Sequence, residues 1–505
     1  MRYIFGYYIF FVIMFCLFNY QEQQPDEWYQ TIDIANLLIN KWTVSDAAFT
    51  HHRNLFIGFL LTVPVLAAKL LSDSPFFTFF FCKLFIAILN FIVLWGMTLL
   101  WKKECPEDKL GLKIIAGAFL LWNFSIEEAS RPSLEHFSSI FFWAMVACSC
   151  FTSNLALFGM GFFAAAIGLA RYPSGFLGVI YLAAVGYILL KNRHWKKIFM
   201  IGLGSFVSLG IGAMLDLTFY GRPFESLYMY FLYNVSSGLA SLEFGEQSPF
   251  VYATYLWKSF SPAYLPFFPL FLWGVGLGCA QGLRQRKPWF LALLVAMLAH
   301  LFATHKEPRF FSAFLFILIF TSVWGLRHKL KVLCYNKFIQ VVFWICFTIG
   351  TGRMLEISVR QAKSARFVLS WLQIPDSSCL ITHRPYPAFM YPKKLLSDSE
   401  ANIGFIASED NQKIHWLKGS STSCPTTTIL TREAHPLLDS CAVDSSFFFN
   451  AVTYTCSTDS IKEKFSHEVS ANYFRNRFNE FVYLPPLNID ARALKQFIKR
   501  EQEML

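Results

Sequence analysis

The chain has 505 residues, 55% of them hydrophobic and 18% aromatic. Only 15% are charged, against roughly a quarter in soluble domains, which excludes an ordinary soluble enzyme and predicts a multi-pass helical membrane protein. The net charge of +11 does not call for nucleic acid, because Lys and Arg gather in short loops between apolar runs, the pattern of cytoplasmic loops.

The first apolar run, 3–19, follows the single basic residue Arg2. Bulky residues continue to Tyr20, so no small-x-small cleavage site appears and the run is expected to stay as a spanning helix. Just beyond it, "QQPDEWYQ" places Asp26 and Glu27 one step outside the apolar segment. The stretch "EWYQTIDIANLLINKW" sets Trp28, Ile32, Ala35 and Ile39 on one helical face, which predicts an interfacial helix. Further apolar runs follow at about 55–71, 76–101, 112–126, 137–151, 155–170, 174–190, 198–214, 262–281, 288–304, 309–326 and 334–351.

Four basic loops, around 102–113, 191–197, 284–287 and 327–337, fall on one side when the runs are counted back and forth. The count needs an even number of crossings between Arg2 and the first of these loops. The run 55–71, with Pro64 inside and Lys69 near its end, is the weakest span and is expected to lie in the interface. The result is an all-α polytopic protein of about eleven spans, with the N-terminus cytoplasmic. The opposite face carries loops 20–75, 127–136, 171–173, 215–261 and 304–309.

From residue 352 the composition turns polar, and 352–505 reads as a small soluble α/β domain on that same face. "ISVRQAKSARFVLSWLQ" reads as helix, and "SSCLITHR" and "TTTILTRE" read as strands. Of twelve cysteines, Cys379, Cys424, Cys441 and Cys456 lie in this tail and can pair if it faces an oxidising compartment.

Every conspicuous polar motif falls on the face away from the basic loops. After Asp26 and Glu27 come Glu127, Glu128, Arg131, Glu135 and His136, then Arg171, then Asp216 and Tyr220, then His305, Lys306, Glu307 and Arg309. Carboxylates can take a proton from an incoming hydroxyl, and cations can hold a phosphate and stabilise its growing charge. Glycosyl transfer from a lipid-phosphate sugar needs both beside a membrane. Each group also has a plainer reading. Asp26 can cap the helix near Trp28, and Lys306 and Arg309 can snorkel at a helix end.

Four of these motifs resemble the glycosyltransferase family 22 mannosyltransferases of the GT-C superfamily. "QPDEWYQ" is similar to the family's His-Pro-Asp-Glu-x-x-Gln stretch, and "EEASRPSLEHF" to its Ser-Arg segment with a following Glu. "DLTFYGRPFESLYMYFLYNV" is similar to its Asp-x-x-Phe-Tyr-Gly signature, and "HKEPRFF" to its His-Lys-Glu-x-Arg-Phe signature. The likeness covers about 1–330. Gln24 stands where the family has His, and the family's Trp-Glu-Trp and Pro-Trp-His-Trp-Tyr elements are missing.

The resemblance implies inverting transfer of mannose from a polyprenyl- or dolichyl-phosphate donor to a glycolipid or glycan hydroxyl. Asp26 would be the general base, with Glu27 assisting it or orienting the acceptor. Arg131, Lys306 and Arg309 would hold the phosphate, and Glu307 would steady Lys306. Glu128 and Glu135 would be second acids. Arg171 would reach the site, His305 would hydrogen-bond within it, and Asp216 and Tyr220 would shape a substrate loop. No Asp-x-Asp pair appears, so no cofactor or divalent metal is required. The implied partners are membrane lipid and the lipid-phosphate sugar, in the endoplasmic reticulum or a bacterial inner membrane. Competing classes are a GT-C enzyme for another lipid-phosphate sugar, a transporter of a lipid-linked substrate, and an assembly scaffold. The absence of an internal repeat speaks against the transporter.

Overall fold

The computed structural model describes residues 2–18, 31–40, 54–72, 75–236, 248–260, 264–302, 306, 308–372 and seven strands between 378 and 469. The chain starts with α1 (Arg2–Phe18), α2 (Ile32–Asn40), α3 (Phe56–Lys69), α4 (Pro75–Glu104), α5 (Lys109–Leu121) and α6 (Asn123–Glu128). It continues with α7 (Leu134–Cys148), α8 (Asn154–Ala170), α9 (Gly175–Lys191), α10 (Trp195–Tyr220), α11 (Glu225–Phe231) and α12 (Phe250–Ser259). The last helices are α13 (Phe268–Gln285), α14 (Pro288–Phe302), α15 (Ser312–Leu326), α16 (Leu330–Tyr335) and α17 (Lys337–Leu372). Among the described residues, five helices are long and apolar enough to cross a membrane. They are Phe77–Glu104, Tyr172–Lys191, Trp195–Tyr220, Leu265–Gln285 and Lys337–Val359. The protein is an integral membrane protein.

Helices that are apolar all round belong in an interior, and α7 and α15 occupy it. Every residue from Ser312 to Leu326 is buried, as is every residue from Leu134 to Ala147. At the periphery, α10 exposes Phe199, Phe206 and Met214, a surface suited to lipid. Small residues let helices close up. A Cβ at Gly161 of α8 would collide with the Ile201 carbonyl of α10, and one at Gly204 with the Phe158 carbonyl.

Both ends of α7 matter. Near its C-terminus, Lys103 Nζ donates to Ser149 O (2.9 Å), and Lys287 Nζ lies 2.5 Å from Glu104 Oε2. Basic loops therefore meet at this end. The acid-rich turn before Leu134 lies at the other end, fifteen residues away along the helix, about 22 Å at 1.5 Å per residue.

Three segments differ from the sequence expectation. The apolar run 112–126 is not one helix, because Trp122 takes an extended conformation (ψ 122°) and parts α5 from α6. α10 runs past residue 214 to Tyr220, so Asp216 and Tyr220 stand on a helix and not in a loop. Gly221, at φ 77°, ends it with its N–H on Leu217 O, a left-handed cap that favours glycine. α17 continues unbroken through residue 352 to Leu372. Of the predicted interfacial face, Ile32 and Ala35 are buried on α2, which packs on α3, while Trp28 lies outside the described residues.

The strands form one mixed sheet. They are β1 (Ser378–Thr382), β2 (Ile403–Ile406), β3 (Ile414–Leu417), β4 (Thr426–Thr431), β5 (Ala442–Phe448), β6 (Ala451–Ser457) and β7 (Ser466–Val469). Their order is β5-β6-β4-β1-β2-β3-β7. Thr427 is paired with Cys379 on one side and Cys456 on the other. Two strand spacings, about 9.5 Å, hold those cysteines apart, beyond the Cα reach of a disulfide.

Candidate active site

The site is built at the corner between α6 and α7. Arg131 N donates to Glu128 O (3.0 Å), tightening the turn. Ser133 Oγ caps α7 by accepting from His136 N (3.1 Å), and Glu135 sits in the first turn, where the helix dipole favours an acid. Glu128, Arg131, Glu135 and His136 are all buried. Charges held away from water need partners. Arg131 Nη1 donates to Glu128 Oε1 (2.7 Å), and His136 Nδ1 stands 4.0 Å from Glu128 Oε2.

The second ion pair joins two helices. Arg171 follows the last turn of α8 in extended backbone. It places Nη1 2.5 Å from Glu135 Oε1, with both side chains buried. Its guanidinium carbon lies 3.8 Å from the centroid of the Phe310 ring, a cation–π distance. Phe310 belongs to the 3-10 turn Pro308–Phe311, which leads into α15. Arg171 thus ties together the second, third and fifth polar loops. Lys306, just before that turn, is also buried.

Asp216 holds a separate clamp. Its Oδ1 accepts from Asn54 Nδ2 (3.0 Å), and its Oδ2 accepts from Ser226 N (3.0 Å) and Ser226 Oγ (2.5 Å). Ser226 Oγ also lies 2.5 Å from the Tyr172 hydroxyl. Both carboxylate oxygens are occupied and the residue is fully buried. The clamp fastens the end of α10, the start of α11 and the entry to α3 to the residue next to Arg171. Tyr220 packs with Ile34 and Leu55.

Burial, and then the adjoining Glu128 carboxylate, push the Glu127 carboxyl up to about 7, against the opposing pull of Arg131 and Arg353. The Tyr255 phenol of α12 is raised by burial and by Glu128. Glu225, at the start of α11, is raised by burial against the pull of Arg222.

The structure adds residues that sequence reasoning missed. His300 of α14 is buried, with Nδ1 2.9 Å from Ala296 O and its ring edge-on to Phe314. Its Nε2 has no hydrogen-bond partner among the described residues, and neither amide atom of buried Asn123 has one. A lone His in "AMLAHLF" carries no signal beyond core packing. Asn54 and Tyr172 could have been noticed as polar residues flanking an apolar run and Arg171. Asp26, Glu27, His305 and Glu307 lie outside the described residues, and Arg309 is described only through its backbone in the 3-10 turn.

A model of the Alg9-like mannosyltransferase family matches residues 3–370. No curated protein matches the chain. The fold is similar to two crystal structures of ArnT from Cupriavidus metallidurans. The apo form gives a TM-score of 0.53 at 10% identity, covering 90% of this chain and 98% of that one. The form bound to undecaprenyl phosphate gives 0.55 at 11% identity, covering 89% and 98%. At such identity the likeness speaks for the fold, and function must be argued from the site.

Proposed function

We propose, from the premise that the chain belongs to the Alg9-like mannosyltransferase family and is a glycosyltransferase, that it moves mannose from a polyprenyl- or dolichyl-phosphate donor to an acceptor hydroxyl. The observation that best supports this reading is the buried charge layer, in which Glu128–Arg131 and Glu135–Arg171 come together with the Phe310 turn. Such a layer gives fixed cations and carboxylates in a water-poor place, where electrostatic stabilisation is strongest.

In this reading Asp26 takes the proton from the acceptor oxygen as that oxygen attacks the anomeric carbon. The sugar–phosphate bond breaks on the opposite side, so configuration inverts. Charge grows on the departing phosphate, where Lys306, Arg309 and Arg131 stabilise it. Glu27 orients the acceptor. Arg171, stacked on Phe310 and paired with Glu135, positions the turn that bears the phosphate ligands. Asp216 is a positioning residue, because its oxygens are already engaged.

The molecule is read as eleven spans, with the site on the face away from the basic loops, and 1–351 as the catalytic unit. Residues 352–505 are read as a small α/β domain on the site's face, entered through the second half of α17, whose membrane-crossing part runs to Val359. The deciding experiment offers purified protein radiolabelled polyprenyl-phosphate-mannose with a panel of glycolipid acceptors. Transfer is expected, and Asp26→Asn is expected to abolish it. Full activity in Asp26→Asn overturns the assignment of the base, and no transfer from this donor to any acceptor overturns the mannose reading.

A further inference from the structure

The outer end of α14 gathers buried polar atoms that have nothing to bond. His300 is only 4% exposed and stands two residues before the helix ends at Phe302. Its Nδ1 lies 2.9 Å from Ala296 O. A carbonyl only accepts, so Nδ1 carries the ring N–H, and in the neutral ring Nε2 is a bare acceptor. That nitrogen has no hydrogen-bond partner among the described residues. Two hydroxyls on elements packed against α14 share its condition. Ser174 ends the turn Tyr172–Ser174, and Ser312 opens α15, whose Phe314 ring stands edge-on to His300 at 4.9 Å. Both serines are buried, and neither Oγ has a partner among the described residues. The same holds for Nε of buried Arg171.

Buried polar atoms in proteins are nearly always satisfied, so a group of orphans around one helix end calls for an explanation. His300 decides what kind of ligand group completes the set. A nitrogen lone pair repels an ionised phosphate oxygen and gains nothing from a hydrocarbon chain. It needs a hydrogen-bond donor, and a hydroxyl is one. Serine hydroxyls both donate and accept, and an arginine Nε–H donates, so the neighbouring orphans suit hydroxyls as well. The position decides whose hydroxyls these are. The His300 ring lies within electrostatic reach of Arg171 and Glu135. Through Phe314, four residues past Phe310, it adjoins the turn assigned above to phosphate binding. In a lipid-phosphate sugar the ring is bonded directly to the phosphate. The hydroxyls that fall beside this turn are therefore those of the transferred sugar, whereas the acceptor hydroxyl goes to Asp26.

We infer that His300 Nε2 accepts a hydrogen bond from one hydroxyl of the donor's sugar, beside Ser174 and Ser312, and so helps to select which lipid-phosphate sugar is used. The inference rests on the glycosyltransferase reading above, but not on the sugar being mannose.

Donor analogues that lack one sugar hydroxyl at a time supply the test. Full-length protein in nanodiscs is given polyprenyl-phosphate-mannose, its deoxy series, and polyprenyl phosphate without a sugar. Affinity and kcat/KM for transfer are both measured. The wild type should disfavour one deoxy analogue about tenfold. His300→Phe should treat that analogue and the parent donor alike, while still discriminating against the other analogues and binding polyprenyl phosphate as the wild type does. Without ligand it should melt no lower than the wild type, because it removes an orphaned polar atom from an apolar place. His300→Gln offers an amide oxygen as acceptor and should restore part of the lost discrimination; it also carries the test if His300→Phe does not fold. Unchanged discrimination in both variants overturns the inference. So does an equal loss of affinity for polyprenyl phosphate and for the donor, which would make His300 a support of the phosphate turn. If the wild type rejects mannose but shows the same pattern with the deoxy series of another lipid-phosphate sugar, the mannose reading fails and the inference stands. Mannose transfer with discrimination untouched by the variants sinks the inference alone, and a wild type that binds no lipid-phosphate sugar sinks both.

Discussion

Arg171 makes two contacts of different kinds, and they can be separated. Its ion pair with Glu135 is buried on both sides, so deleting one partner strands a charge at a cost of about 3–5 kcal/mol, while replacing both by apolar groups is often nearly neutral. Thermal unfolding in detergent should therefore show Arg171→Met and Glu135→Met each strongly destabilised, and the double variant recovering most of the loss. Two additive losses would mean that the pair does not act as a unit. Arg171→Lys keeps the charge but loses the flat guanidinium face over Phe310, so it should retain stability better than transfer activity. Glu127 makes a prediction about pH. Its folded pKa of about 7 exceeds the unfolded value of about 4.3, so folding favours the protonated form. That contribution is complete below the unfolded pKa and is lost as pH rises through 7. Melting temperature measured from pH 5.5 to 8.5 should fall more steeply in the wild type than in Glu127→Gln; parallel curves would refute the shifted carboxyl. At this scale the sequence was half legible. Glu128 and Arg131 are three residues apart on one turn, so their pairing could be read directly. Glu135 and Arg171 sit on different helices, and only packing reveals them as partners.

Between elements, the Asp216 clamp is the feature that apolar periodicity conceals. The run 198–214 marks the greasy body of α10, but the helix continues until Gly221 caps it, and Asp216 reaches Ser226, Asn54 and, through Ser226, Tyr172. An acid beyond the last apolar residue looks like a loop residue because hydropathy ends before the hydrogen-bond ladder does. The same limit explains α5 and α6, since nothing in the hydropathy of 112–126 signals the extended Trp122 that parts them. Asp216→Ala would leave the buried Ser226 N–H without its acceptor, at about 1–3 kcal/mol, and Asn54 Nδ2 with only its longer contacts to Gly212 O (3.4 Å) and Ser226 Oγ (3.5 Å). The expected result is a lower melting temperature together with a fall in kcat, because Tyr172 adjoins Arg171, and little change in KM for the acceptor. Asp216→Asn keeps one acceptor oxygen and should lie between the two. A variant with normal stability and a raised KM alone would instead make Asp216 a substrate contact.

For the whole molecule, the separation of two charged ends organises everything else. The acid-rich turn stands before α7, and the Lys103–Ser149 and Lys287–Glu104 contacts stand at or near its far end. α15 repeats the arrangement, with Phe310 just before its start and Arg327 just after its end. Sequence counting puts four basic loops on one side, because carrying Lys and Arg across a bilayer is costly, and the structure joins two of them, 102–113 and 284–287, through the Lys287–Glu104 pair. The order of the sheet was not legible, since β1 pairs in parallel with β2 and β4 through connections that local patterns do not specify. What decides between eleven and twelve crossings is α3, a 14-residue helix with Pro64 inside it. At about 21 Å it is short for a hydrocarbon core of ~30 Å, and it packs along α2. Single cysteines placed at Arg2, Arg222 and Arg286 in a cysteine-free background settle the matter in sealed inside-out and right-side-out vesicles. An impermeant maleimide should reach position 286 only from the cytoplasmic side and position 222 only from the other. Because α4 itself ends at the basic loop, the side of exposed position 2 reports whether α3 crosses, and it should label with 286 if α3 lies along the interface. If position 2 labels with 222, α3 crosses the membrane and the eleven-span topology fails. If 222 labels with 286, the site face and the basic face are the same, and the proposed orientation of the enzyme fails with it.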